Sequence, residues 1–167
     1  QMLTSTCENE RAEIRWVKHN NLHLTVQFLG SASDEKVTKI RKEVENVVCT
    51  INPFVLTVSE TGCFPNRSKP SVLYLGVGGN IEALKALVVE INDKMSQIGF
   101  KNDLELFNPH ITVAKINYPQ KFNPDLSIFL NSTYDEVEFS VDKIQLLESK
   151  SFACLLYTSP SPRDFQV

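Results

Sequence analysis

Asn21-Leu22-His23-Leu24-Thr25-Val26-Gln27-Phe28-Leu29-Gly30 and Phe107-Asn108-Pro109-His110-Ile111-Thr112-Val113-Ala114 carry the same signature, His-x-Thr followed by an apolar residue. Two of the three histidines in the chain are spent on it. Both copies sit in strand-like runs, where side chains alternate between faces with a period of two, so each His projects from the same face as its Thr. In the first run Leu22, Leu24, Val26 and Phe28 are expected on one face and His23, Thr25 and Gln27 on the other. In the second, Ile111 and Val113 oppose His110, Thr112 and Ala114, and Asn108-Pro109 leads in, with Pro acceptable at the first position of a strand. The repetition points to one structural unit used twice.

Between and around these runs the chain alternates strand and helix signals. Ser33-Asp34-Glu35 supplies an N-cap and two acids for the first turn of a helix. Its apolar stripe is Val37, Ile40, Val44, Val47 and Val48, and Asn52-Pro53 ends it. A strand is expected at Phe54 to Ser59, then a loop from Glu60 to Pro70 that holds Arg67 and Lys69. A second strand is expected at Ser71 to Val77. Ile81, Leu84, Leu87, Val88, Ile91, Met95 and Ile98 mark a long amphipathic helix closed by Gly99. Tyr118 to Asp125 reads as an irregular loop, and Val137 to Leu147 as a last strand, bulged near Asp142 where the apolar parity shifts. The class is α+β with antiparallel pairing.

At 167 residues and 42% hydrophobic the chain is large enough for a real core without a disulfide or metal staple. The net charge of -3 excludes bulk capture of long nucleic acid by charge and leaves room for a focal cationic site. Four cysteines without metal-ligand spacing, and no long apolar run, point to reduced thiols, the cytoplasm and no membrane span. If the two His-x-Thr units are pseudo-repeats, a strand and much of a helix are missing before His23. Gln1 to Glu13 is then the stump of that helix, and residues 1–150 form one N-terminally truncated domain. From about Ser151 the text reads as translated cloning-adaptor sequence or an ordinary tail, 151–167, with no chemistry of its own.

Two imidazoles facing one cleft suit in-line displacement at phosphorus. Histidine titrates near ~6.5, so one ring can accept a proton while the other donates one. Each Thr hydroxyl can bond a non-bridging phosphate oxygen. A cation would offset the developing negative charge. Lys115 follows the second motif, but a regular strand would place it on the face opposite His110 unless the strand twists or bulges. Arg67 and Lys69 are the alternatives. His19 reads as a solvated turn residue, and Trp16, Phe64, Tyr74 and Phe107 as core rather than base-stacking platforms.

With these motifs the chain resembles the two-histidine (2H) phosphoesterase superfamily, and within it the branch long called 2'-5' RNA ligase, the RNA 2',3'-cyclic phosphodiesterases. The resemblance is carried by Arg15-Trp16-Val17, the two motif segments, Phe64-Pro65-Asn66, Val72-Leu73-Tyr74-Leu75-Gly76-Val77, Gly99-Phe100 and Leu147-Glu148-Ser149. It implies a bilobal, pseudo-duplicated fold of antiparallel sheets with outer helices, each lobe giving one His-x-Thr strand to a central cleft. It also implies metal-independent, cofactor-free opening of a terminal cyclic phosphate to a 2'-phosphate, with His23 and His110 as acid and base and Thr25 and Thr112 binding phosphate. The partners implied are RNA ends or small cyclic nucleotides, acted on by a monomer. Lys115 stands where members often carry Arg, which keeps the charge and loses the bidentate fork. Two other readings use the same cleft: a non-catalytic RNA-end or nucleotide-binding module, and reversible 2'-5' ligation.

Overall fold

The computed structural model describes residues 13–102, 104–118, 124–148 and 164–166. The chain divides into two compact units: Gln1–His23, Thr57–Gly78 and His110–Glu138 make the first, and Leu24–Leu56, Gly79–Pro109 and Phe139–Val167 the second. Strands are β1 (Glu13–Trp16), β2 (Thr25–Phe28), β3 (Phe54–Phe64), β4 (Val72–Gly79), β5 (His110–Asn117), β6 (Val137–Val141), β7 (Gln145–Leu146) and β8 (Asp164–Gln166). Helices are α1 (Asp34–Val48), α2 (Ile81–Gln97) and the short α3 (Ser127–Leu130). The sheets run β1-β5-β4-β3-β6 and β2-β8-β7.

The first unit is built on the β1-β5-β4 antiparallel ladder. Ile14 pairs with Ile116, Trp16 with Ala114, Leu73 with Ala114 and Leu75 with Ile111, which puts these apolar residues on one face. That face packs against Leu126 and Phe129, where α3 closes over it, with Trp16 edge-on to Phe129 at 6.5 Å. Leu73 and Ala114 are fully buried. The opposite face carries Tyr74, Gly76, His110, Thr112 and, at the edge strand, Arg15. The hairpin between β3 and β4 is closed by Ser71 N–H donating to the Phe64 carbonyl at 2.7 Å, and the Tyr118 hydroxyl donates to the carbonyl of Pro70.

In the second unit the two long helices follow the expected signals. The Ser33 hydroxyl accepts from the Lys36 N–H at the start of α1, and the Asn80 side chain accepts from the Ala83 N–H at the start of α2. Ile40 and Val47 on α1, and Leu84, Leu87, Val88, Ile91 and Met95 on α2, are buried, whereas Val48 reaches solvent. Gly99, at φ +86, ends α2 in the left-handed conformation that a side chain disfavours.

Several expectations need correction. β3 continues through Phe64, so the loop is Pro65 to Ser71 and not Glu60 to Pro70. The last strand is broken, not bulged: residues 142–144 leave the ladder, so that β6 and β7 belong to different sheets. Glu13, expected at the end of a helical stump, opens β1; Gln1 to Ala12 lie outside the described residues. Most of 151–167 also lies outside them. Asp164–Gln166, however, pair between β2 and β7, so the tail is not without a part in the sheet.

The first motif run departs from plain alternation. His23 precedes β2 instead of lying in it, just after a 3-10 turn at His19–Asn21. Within β2 an extra residue intervenes between Thr25 and Gln27 in the pairing with β8, and a bulge of this kind reverses the parity downstream. Gln27 is therefore buried, Phe28 is 59% exposed and Leu29 takes the interior position at 7%. Leu22, at 42%, is exposed as well.

Candidate active site

Both motif histidines belong to the first unit. His110 opens β5 opposite Gly76, and Thr112 lies opposite Tyr74. Directly opposed residues in an antiparallel ladder share a face, so His110 and Thr112 project together from the side away from the core. β5 then gains one residue on β4: Leu73 faces Ala114 while Tyr74 faces Thr112, leaving Val113 as the extra residue. Because of this bulge Lys115, opposite Val72, returns to the face of His110 and Thr112. A regular strand would have turned it to the core side.

His23 reaches the same neighbourhood. Its Nδ1–H donates to the Asn21 carbonyl at 2.6 Å. A carbonyl can only accept, so the proton sits on Nδ1 and the neutral ring presents Nε2 as a lone pair. Burial pushes the His23 pKa below its ordinary value of 6.5; the bond to Asn21 opposes this, and the charges of Lys115 and His110 add to it. That both charges act on His23 brings His23, His110 and Lys115 within electrostatic reach of one another.

His110 is framed by aromatic rings. Phe64 meets it edge-on at 5.0 Å between centroids and Tyr74 at 5.4 Å, while Phe64 and Tyr74 stack on each other at 4.3 Å. These two rings belong to the His110 face and not to the core, contrary to expectation; Trp16 is the one packed against the core. The arrangement depends on Gly62. A Cβ built there would lie 2.3 Å from Cζ of Tyr74, so the ring occupies the space that a side chain at residue 62 would fill. A glycine inside a strand often marks such a close approach, and Gly62 in Glu60-Thr61-Gly62-Cys63-Phe64 was the available signal.

The remaining candidates lie elsewhere. Thr25 opens β2 in the second unit. Arg67 and Lys69 are exposed in the turn after β3, where the Asn66 side chain accepts from the Lys69 N–H. His19 is exposed in its turn, as expected. Among the described residues no three His, Cys, Asp or Glu side chains gather as a metal site, and no helix is long and apolar enough to cross a membrane.

Comparison with known proteins gives this geometry a family. The sequence profile of the 2'-5' RNA ligase superfamily matches residues 7–151. The RNA 2',3'-cyclic phosphodiesterase of Thermotoga maritima is 31% identical over 80% of this chain and 70% of its own length. That of Methanocaldococcus jannaschii is 34% identical over 63% and 57%. The chain thus spans between about half and three quarters of the length of these relatives. Among solved structures, E. coli LigT complexed with NADP+ superposes with a TM-score of 0.65 at 22% identity, covering 96% of this chain and 83% of LigT. LigT complexed with 3'-AMP gives 0.61 at 20%, covering 99% and 84%. These likenesses bear out the α+β antiparallel fold, and the profile and the Thermotoga relative bear out the resemblance read from the motifs: the chain belongs to the 2'-5' RNA ligase superfamily of two-histidine phosphoesterases.

Proposed function

We propose that this protein hydrolyses the 2',3'-cyclic phosphate at an RNA end to a 2'-phosphate, with His23 as general base and His110 as general acid. The observation that carries the division of labour is the state of His23. Its lowered pKa keeps the ring neutral near pH 7, and the Asn21 carbonyl holds the tautomer that leaves Nε2 free to accept a proton. The relatives named RNA 2',3'-cyclic phosphodiesterase support the reaction class, and the 3'-AMP complex of LigT supports a nucleotide ligand.

In this reading a water oxygen attacks phosphorus in line with O3', and Nε2 of His23 takes its proton. As the new P–O bond forms, the P–O3' bond breaks and His110 gives its ring proton to O3'. The product carries a 2'-phosphate and a free 3'-hydroxyl, and proton exchange with solvent resets the two rings. The bound anion itself favours the protonated form of His110. Thr112 and Thr25 donate hydrogen bonds to the non-bridging oxygens, and Lys115 offsets their growing charge as a point charge rather than a planar fork. Both proton transfers are supplied by side chains, so no metal is required. The protein acts as a monomer in the cytoplasm, a reducing compartment in which Cys49 and Cys63 stay free thiols.

The test is incubation with an oligonucleotide ending in 2',3'-cyclic phosphate, with and without EDTA, followed by mapping of the product end. A 2'-phosphate formed equally in both is expected. A 3'-phosphate, or loss of activity in EDTA with rescue by a divalent ion, would overturn the proposal. Binding without turnover would leave the non-catalytic module in its place.

A further inference from the structure

The His110 face does not stop at Lys115. In the β1-β5 register Arg15 lies directly opposite Lys115 and shares its face, and β1 is the edge strand of the sheet. Neighbouring strands lie about 5 Å apart, so Arg15 extends the cationic strip one strand beyond Lys115, toward the open edge. Like charges directly opposed across a ladder destabilise a sheet, unless an anion lies between them. Arg15 is only half-exposed, with its stem laid along the strip. The charges that act on His23 are those of Lys115 and His110, so Arg15 stands outside the reacting phosphate's immediate surroundings.

The geometry points to a second anion site at Arg15, which with Lys115 holds the phosphodiester immediately upstream of the terminal nucleotide, so that the face prefers a polynucleotide end to a cyclic mononucleotide. This rests on the cyclic phosphodiesterase reading above. An ammonium and a guanidinium side by side suit this role, because Lys115 can serve either phosphate while the Arg15 fork grips one set of non-bridging oxygens.

The test compares wild type and Arg15→Gln, as full chains, on a nucleoside 2',3'-cyclic phosphate and on a short RNA ending in the same group. A fall of about tenfold in kcat/KM is expected for the RNA alone, through KM and with a salt dependence shallower by about one. Arg15→Lys should recover part of it. Equal losses on both substrates, or none on either, would overturn the proposal. Affinities for the two products, the mononucleotide 2'-phosphate and the RNA with a 2'-phosphate end, are measured in parallel. Wild type that turns over neither substrate would sink the proposed function, while the product affinities would still decide Arg15: loss confined to the RNA supports it, and any other pattern contradicts it.

Discussion

The two His-x-Thr copies are nearly identical in sequence and unlike in surroundings. His110 stands in a regular ladder, framed by Phe64 and Tyr74, with Thr112 beside it on the same strand face. His23 stands outside its strand, tied to a turn carbonyl, and its pKa is lowered by burial and by two neighbouring positive groups. The motif thus fixes which residue types are present, whereas the flanking turn and rings fix which proton each ring holds. A repeated motif gives two similar groups, and the difference between their settings turns them into a base and an acid.

The broadest way to break this comparison is to remove either ring. His23→Ala and His110→Ala should each lower kcat by about 10²–10⁴-fold, and the double variant should fall short of the product of the two losses, because the pair acts as a unit. Fully multiplicative losses in single-turnover kinetics would mean that the rings work independently.

The bulge in the first copy is tested by stability. Leu29→Ala should cost about 2–5 kcal/mol as a buried truncation, while Phe28→Ser should stay within about 0.5 kcal/mol as a surface change. Chemical unfolding of the two variants reads this directly. A costly Phe28→Ser with a neutral Leu29→Ala would restore the plain alternation.

The aromatic frame of the second copy is tested by Gly62→Ala. The added Cβ must displace the Tyr74 ring, at about 1–3 kcal/mol of stability. It should slow turnover and perturb the ring resonances of His110 more than those of His23. Unchanged His110 resonances would show that the frame does not position it.

The smallest expected effect is on pH dependence. Lys115→Ala removes one of the minor causes that lower the His23 pKa, so the acid limb of kcat/KM, where His23 becomes protonated, should move to higher pH. Lys115→Arg should leave it in place. A shift in the opposite direction would detach Lys115 from His23.

Much of this was legible in the residues themselves. The two long helices announce themselves by caps and a 3.6-residue stripe, and the second motif strand by its alternation after Asn108-Pro109. Less visible was β1, whose four residues pair with β5 at the sheet edge; Ile14 and Trp16 point inward and Arg15 outward, too short a run to stand out. Gly62 and Pro65 read as loop punctuation, yet Gly62 lies inside β3 because Tyr74 needs its space. Both bulges are set by pairing with partner strands distant in sequence, so a local periodicity cannot place them. The second bulge is what brings Lys115 onto the His110 face.

The direct test of the division between the two rings is a nitrogen-detected NMR titration of the histidines in the intact protein. His23 should titrate below 6.5 and, when neutral, carry its proton on Nδ1. A His23 that titrates at or above 6.5, or that is protonated on Nε2 in its neutral form, would contradict its assignment as the base.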